Sequence, residues 1–198
     1  MIRILALVIL CLLGRVAWAG EPVPAVILSS LVDPAKSDKL QGERAANPRL
    51  RKIIYWLETA RRAGDDQEVV VTSAQKQAGY SGTARADADR ESLVRNLTIL
   101  QRLGCLDGTG MAALRVGKAP KITKGPYAGD IATVDHIIPR SVVPELDEKI
   151  YNLEFMPAKV NGRKSDKIGD RQRQLALKWH KLGLLSDAGF QAVVTAKQ

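Results

Sequence analysis

The chain has 198 residues, of which 45% are hydrophobic and 26% are charged. These proportions exclude a disordered or fibrous protein and are sufficient for one domain with a core. Lysine and arginine outnumber aspartate and glutamate by 30 to 21, and the pI near 9.7 favours polyanionic partners such as nucleic acid. Charge alone does not distinguish such a partner from a basic secreted protein with solvated lysines.

Residues 1–19 have the pattern of a secretory signal peptide. Arg3 precedes an apolar run over residues 4–13, and Ala17-Trp18-Ala19 is a small-x-small cleavage site. We therefore expect cleavage after Ala19 and a secreted or periplasmic protein. The apolar run is about half as long as the roughly twenty residues that cross a bilayer, which predicts that no permanent membrane anchor remains.

Cys105 would be the only cysteine left after this cleavage, because the other cysteine lies within the signal peptide. A single cysteine excludes an intramolecular disulfide and a zinc cluster built from cysteines. Cys105 follows Leu100 and Leu103 in an apolar stretch, a context that favours a buried, unreactive thiol over a nucleophile.

Helical periodicity dominates the first half of the expected mature chain. Residues 21–47 are broken by prolines and predict an extended lead-in with at most a short helix. Apolar spacing predicts an amphipathic helix over residues 48–63 and a second helix over residues 86–103. Between them, a β-branched run at residues 69–72 precedes a turn-rich segment over residues 73–82.

The second half combines short elements with a basic loop. Residues 111–116 predict a strand, and residues 117–129 are rich in lysine, proline and glycine and predict a loop. A C-terminal amphipathic helix contains His180, which we interpret as a packing or surface residue. No linker-like stretch separates the halves, so we expect a mainly helical region 20–107 packed on a second region 108–198.

Three short segments of the second region carry groups suited to catalysis. An acidic residue and a histidine are adjacent in Asp135-His136-Ile137-Ile138-Pro139. Asn152-Leu153 begins sixteen residues after the histidine, and Asn161-Gly162-Arg163-Lys164 begins nine residues later. Adjacent residues of a strand face opposite sides, so the acidic residue and the histidine can serve one site only if the strand ends or bends there. The proline favours an ending.

Hydrolysis of a phosphodiester needs a base for the attacking water and a cation for the phosphate oxygens. His136 suits the first task, because imidazole is the common base whose ordinary pKa lies near neutrality. Asp135 and Asn161 suit the second task, because their oxygens are hard ligands that favour Mg²⁺ or Mn²⁺ over softer metals.

These segments resemble the HNH endonucleases, a family with a ββα-metal fold. Its pattern is an acidic-His pair followed by Ile and Pro, a middle Asn-Leu, and a final His or Asn. The resemblance covers residues 127–167, and residues 161–166 are similar to the end of the HNH domains of RNA-guided nucleases, without implying an RNA guide here. It implies an α+β fold in which several helices brace a ββα-metal core.

Two departures from the family pattern affect the expected metal and the expected packing. The last motif position is Asn161, where a histidine-rich subgroup has His, and this favours Mg²⁺ over zinc or nickel. The paired cysteines that often bind a structural zinc beside the motif are absent from the sequence, so the preceding helices are expected to brace the motif.

The resemblance implies a role for each motif residue. His136 would be the general base, Asn152 would hold the loop between the strands and help to orient His136, and Lys164 would lie near the scissile phosphate. Asp135 and Asn161 would bind the metal, Mg²⁺ or alternatively Mn²⁺. The cations expected at the nucleic-acid backbone are Arg140, Arg163 and Lys164.

The sequence therefore predicts an exported, metal-dependent HNH endonuclease that cleaves DNA, with RNA as an alternative substrate, at low sequence specificity. The alternative is a non-catalytic nucleic-acid-binding protein that retains the ββα scaffold. Each residue also has a structural interpretation when taken singly, because an Asp-His pair is common and Asn161-Gly162 is an ordinary turn pair. The ordered set of residues, with its basic tail, favours the enzyme.

Overall fold

The computed structural model describes residues 23–196 except residues 41, 43 and 165. The signal peptide and cleavage site expected over residues 1–19 lie outside this part of the chain. None of the described helices combines the length and apolar character needed to cross a lipid bilayer.

Six helices precede the sheet in the described part of the chain. Those that begin after Asp66, Thr83 and Asp107 are capped by these side chains, which accept a hydrogen bond from the backbone N–H three residues later at 3.0, 3.1 and 2.7 Å. The helices are α1 (Val23–Val32), α2 (Pro34–Ser37), α3 (Ala46–Arg62), α4 (Gln67–Gln77), α5 (Ala84–Arg102) and α6 (Gly108–Arg115). The predictions of helices over residues 48–63 and 86–103 are confirmed by α3 and α5.

Two segments predicted to be irregular are helical. The expected lead-in over residues 21–47 contains α1 and α2. The turn-rich prediction for residues 73–82 is wrong over its first half, because α4 continues to Gln77 and includes the β-branched run. Val70, Val71 and Ala74 of α4 are fully buried. Packing of α4 against α1 and α5 thus overrides the low helix propensity of β-branched residues.

The strand predicted over residues 111–116 is also wrong, because these residues belong mainly to α6. Met111 and Leu114 are three positions apart on this helix and both are buried, where α6 packs against α3. A short apolar run is compatible with either a strand or a helix turn. The Asp107 cap and the contact with α3 decide the outcome.

The sheet consists of β1 (Ala132–His136) and β2 (Leu153–Pro157), which pair antiparallel with Asp135 opposite Glu154. β1 ends at His136, which confirms the ending predicted from the proline downstream. Two single 3₁₀ turns, Pro144–Leu146 and Ile150–Asn152, occupy the connection. A short helix, α7 (Ala158–Lys164), follows β2 directly.

The described residues form nine α-helices and one two-stranded antiparallel sheet, which confirms the α+β class. One apolar cluster contains residues from the early helices and from both strands, including Leu50, Leu97, Val134 and Phe155. The helices that brace the sheet therefore share buried contacts with it. The proposed division between residues 107 and 108 falls at the cap of α6.

A second apolar cluster joins the connection between the strands to α8 (Asp170–Lys181) and α9 (Asp187–Thr195). The rings of Tyr151 and Trp179 meet edge to face with centroids 4.9 Å apart. His180 stacks on Phe190 at 4.7 Å and its side chain is 31% exposed, in agreement with its interpretation as a packing or surface residue. α9 was not predicted.

Cys105 is fully buried in the first cluster. Burial raises the pKa of its thiol to about 12, so the thiolate is scarce at neutral pH. The prediction of a buried thiol is confirmed, and the raised pKa favours low reactivity.

Candidate active site

A cleft of about 440 Å³ lies over one end of the sheet and is formed by three distant parts of the chain. They are the turn before α3, β1 with the residues that follow it, and α7 with the residues that follow it. Four residues predicted for the site, Asp135, His136, Arg140 and Asn161, line this cleft. The full lining is Arg44, Thr133, Val134, Asp135, His136, Pro139, Arg140, Ala158, Asn161, Gly162 and Asp166.

Asp135 carries a carboxylate that is paired with an ammonium group. Lys164 Nζ donates to Asp135 Oδ2 at 2.7 Å and also to the backbone carbonyl oxygen of His136. The side chains of this ion pair are only 18% and 23% exposed for Lys164 and Asp135. Lys164 thus joins the end of α7 to the end of β1, at the flank of the cleft and outside its lining.

Asn161 approaches the same face of β1 from α7. Its Nδ2 donates to Thr133 Oγ1 at 3.2 Å, and Thr133 lies two positions before Asp135, on the same side of the strand. The start of α7 is held by Asp130, whose Oδ2 accepts from the backbone N–H of Lys159 at 3.0 Å. This hydrogen bond lowers the pKa of the Asp130 carboxyl.

His136 is 7% exposed, and its imidazole is held from one side by the connection between the strands. Its Nε2 lies 2.8 Å from the backbone carbonyl oxygen of Asp147 and 2.9 Å from Asp147 Oδ1. A carbonyl oxygen can only accept a hydrogen bond, so Nε2 is the protonated nitrogen. In the neutral imidazole, Nδ1 is then the nitrogen that can accept a proton.

Asn152 lies immediately before β2 and is fully buried. Its Oδ1 accepts from the backbone N–H of Ile138 at 2.8 Å, and its Nδ2 donates to the carbonyl oxygens of Ile138 and Leu146 at 3.0 and 3.2 Å. Asn152 therefore closes the connection between the strands and does not line the cleft. These contacts are those of a positioning residue, and they match the expectation that Asn152 holds the loop between the strands.

The two arginines expected at the nucleic-acid backbone lie in different places. Arg140 lines the cleft, and its Nη1 lies 3.9 Å from Asp147 Oδ2. Arg163 is exposed on α7 and is not part of the cleft lining. Contact between Arg163 and a nucleic-acid backbone stays a prediction.

Three charged residues at the cleft or beside it were not predicted for the site. Asp166 and Arg44 line the cleft; Asp166 belongs to the motif tail, whereas Arg44 lies far upstream, where no local pattern singled it out. Asp147, the partner of His136, occupies a connection in which several acidic residues look alike in sequence. Only the folded connection selects it.

Glu154 is a further buried charge that sequence reasoning missed. It lies opposite Asp135 in the sheet, accepts from Arg171 Nη1 at 2.8 Å and lies 3.1 Å from Arg95 Nε. Burial alone would raise the pKa of Glu154, but Arg171, Arg95 and Lys164 hold it below its ordinary value. The Glu154 carboxylate therefore stays charged, and it attracts Lys164 as well.

The donor atoms in the cleft suit a hard divalent cation. The carboxylates of Asp135 and Asp166 and the amide oxygen of Asn161 are oxygen donors, which Mg²⁺ accepts while it keeps several waters. Among the described residues, no group of three or more histidine, cysteine, aspartate or glutamate side chains converges as a closed metal site would require. Oxygen donors of this kind are the ligands that Mg²⁺ and Mn²⁺ prefer in proteins.

Comparisons with known proteins find no relative: no protein-family model, no curated protein and no solved structure matches the chain. The residues of the cleft are therefore the basis on which the function is inferred.

Proposed function

We propose that the chain is a metal-dependent endonuclease of the HNH type, with a ββα-metal core formed by β1, β2 and α7. Its substrate would be DNA, with RNA as the alternative, cleaved at low sequence specificity. The observation that carries the proposal is the shared cleft: Asp135, His136 and Asn161 line it together, although the first two are adjacent on a strand and the third lies on a helix.

His136 is the group that would take the proton from the attacking water. The carbonyl oxygen of Asp147 holds Nε2 as a donor and leaves Nδ1 as the basic nitrogen. Because Asn152 closes the same connection through three hydrogen bonds, the imidazole is held in one orientation before substrate binds, which is a requirement for efficient general-base catalysis.

Asp135 and Asn161 would hold the divalent cation, and Asp166 could supply a third oxygen donor. When bound, such an ion neutralises charge on the phosphate and stabilises the leaving oxygen. Lys164 contacts Asp135 directly and would add positive charge beside the same phosphate. The proposed export to the periplasm or medium rests on the signal peptide pattern over residues 1–19.

The test of the proposed function compares cleavage of plasmid DNA by the mature chain with Mg²⁺, with EDTA, and after His136→Ala. We expect EDTA to abolish cleavage and His136→Ala to lower the rate by about a hundredfold or more, because the base is lost. His180→Ala is the matched control, since His180 stacks on Phe190 away from the cleft, and it should keep the activity. Equal cleavage under all conditions would contradict the proposal.

The second candidate is a protein that binds nucleic acid without cleaving it. One observation favours it: Asp135, the expected metal ligand, already has a cation in Lys164. This candidate predicts DNA binding that weakens with salt, is unaffected by EDTA and is accompanied by no cleavage. A zymogram and an EDTA titration of DNA binding separate the two.

A further inference from the structure

Arg44 brings a positive charge into the cleft from outside the three motif segments. It lines the cleft together with Asp135, His136 and Asn161, although it precedes Asp135 by more than ninety residues in the sequence. The helical half of the chain thus contributes one positively charged residue to the lining of the cleft.

The backbone of Arg44 is strained. Its φ is +58°, and no other described residue except glycine has a positive φ. The left-handed region costs energy for a residue with a Cβ atom, and glycine or asparagine would adopt it more readily. A strained arginine in a cleft is a feature that recurs at functional sites, where the conformation aims a side chain.

The position of this strained turn is defined by contacts with the sheet. The carbonyl oxygen of Arg44 accepts from the backbone N–H of Asn47 at 3.0 Å, in the first turn of α3. Asn47 is itself buried, and its Nδ2 lies 3.4 Å from the carbonyl oxygen of Val134 in β1. Arg44 is therefore three residues from a direct link to the strand that carries Asp135.

From these observations we infer that Arg44 contacts a backbone phosphate of the nucleic acid bound in the cleft. The inference rests on the proposed function and extends it to a residue outside the motif. The guanidinium presents a planar set of donors that match two phosphate oxygens, which a lysine cannot do. A contact to phosphate strengthens substrate binding without reading the base sequence, in agreement with low sequence specificity.

The experiment compares Arg44→Asn and Arg44→Lys with the unchanged chain. Arg44→Asn removes the charge at a position whose left-handed backbone asparagine adopts more readily, and its melting temperature checks that the variant stays folded. Its KM for oligonucleotide cleavage with Mg²⁺ should rise by about tenfold, with kcat nearly unchanged. The salt dependence of binding should become shallower by about one unit of slope. Arg44→Lys should have an intermediate KM.

The matched control is Arg115→Asn, because Arg115 is an exposed arginine at the end of α6 and outside the cleft lining; its KM should stay unchanged. If Arg44→Asn unfolds, Arg44→Gly makes the same comparison. Inorganic phosphate, titrated calorimetrically, separates a nucleic-acid contact from a site for free phosphate.

Four outcomes would overturn the inference. An unchanged KM in Arg44→Asn, or an equal rise in Arg115→Asn, would overturn it and leave the proposed function intact. Binding of inorganic phosphate that depends on Arg44, with an unchanged KM for the oligonucleotide, would do the same. Absence of both DNA binding and cleavage in the unchanged chain would overturn this inference and the proposed function together.

Discussion

At His136, one backbone contact determines which ring nitrogen can act as a base. The carbonyl oxygen of Asp147, 2.8 Å from Nε2, accepts a hydrogen bond and cannot donate one. The histidine was recognisable in the sequence, but its tautomer depends on Asp147, which lies eleven residues downstream in the connection between the strands. Its proposed role therefore depends on a residue that the motif does not contain.

Lys164 is the second residue for which the fold adds a contact that the sequence did not suggest. The sequence suggested a cation near the substrate phosphate, whereas the structure pairs its ammonium with Asp135 at 2.7 Å. The Lys164 ammonium beside this carboxylate opposes the approach of a divalent cation, because like charges at close range repel. If Asp135 holds the proposed metal ion, Lys164 would compete with that ion for the carboxylate in the absence of substrate.

We predict that Lys164→Met binds Mn²⁺ more tightly than the unchanged chain, on the order of tenfold, because the competing charge is lost. The measurement is a Mn²⁺ titration followed by electron paramagnetic resonance or calorimetry. Lys159→Met is the control, since Lys159 lies exposed on the same helix. Equal Mn²⁺ affinity in all three chains would show that Lys164 does not compete for the site.

Among the elements, the connection between β1 and β2 contributes most to the geometry of the cleft. It is closed by Asn152, whose side chain makes three hydrogen bonds, and by the carbonyl oxygen of Asn152, which accepts from the backbone N–H of Ile137 at 2.7 Å. The connection carries Asp147, the partner of His136. Loosening it would therefore disturb the imidazole even though Asn152 lies outside the cleft.

Replacement of Asn152 by alanine should lower the free energy of unfolding by about 3 kcal/mol, because buried backbone groups of Ile138 and Leu146 lose their partner. Urea unfolding measures this change. Asn161→Ala is the comparison: its side chain makes one hydrogen bond, to Thr133, and the loss should stay within about 1 kcal/mol. A stability of Asn152→Ala equal to that of the unchanged chain would exclude this bracing role.

In the whole molecule, a buried carboxyl joins the helical half to the connection between the strands. Asp89 of α5 is fully buried; its Oδ1 accepts from the backbone N–H of Tyr151 at 3.2 Å, and Tyr80 Oη lies 3.5 Å from its Oδ2. Burial raises the pKa of Asp89 to about 7, although Arg85 opposes the shift. Nearby, Arg85 and Lys149 overcome the effect of burial and lower the pKa of Asp38 to about 2.

These two shifts act in different pH ranges. The ordinary aspartate pKa is 3.8, so between about pH 4 and pH 7 the unfolded chain loses the Asp89 proton while the folded chain keeps it. Stability contributed by Asp89 is complete below this range and is lost as the pH rises through it. Stability contributed by Asp38 is instead lost only as the pH falls from 3.8 towards about 2.

The unchanged chain should therefore lose stability relative to Asp89→Asn as the pH rises from 5 to 8. The difference between their free energies of unfolding should grow by about 2 kcal/mol over this range. Urea unfolding of both chains at the two pH values measures the difference. Asp87→Asn is the control, because Asp87 is exposed on the same helix and pairs with Arg90 at 2.8 Å. If Asp89→Asn and the unchanged chain respond to pH in parallel, Asp89 is not the titrating group.

Much of the candidate site could be predicted from sequence because its core is local. Asp135, His136 and Asn161 lie within one hairpin and the following helix, and chain order alone brings such elements together. The end of β1 could be predicted from Pro139, since proline cannot continue a central strand. Arg44 could not be predicted in this way, because it reaches the cleft only when the start of α3 packs against β1.

The sequence by itself determined the helices α3, α5 and α8, the end of β1 and the buried state of Cys105, whereas the α+β class was an implication of the family resemblance. Periodicity, proline geometry and apolar context are local signals, and each acts within a few residues. Only the tertiary structure decided that residues 69–77 and 108–115 are helical, that Lys164 pairs with Asp135 and that Asp147 orients His136. These outcomes depend on contacts between elements distant in the chain, where packing outweighs local preference.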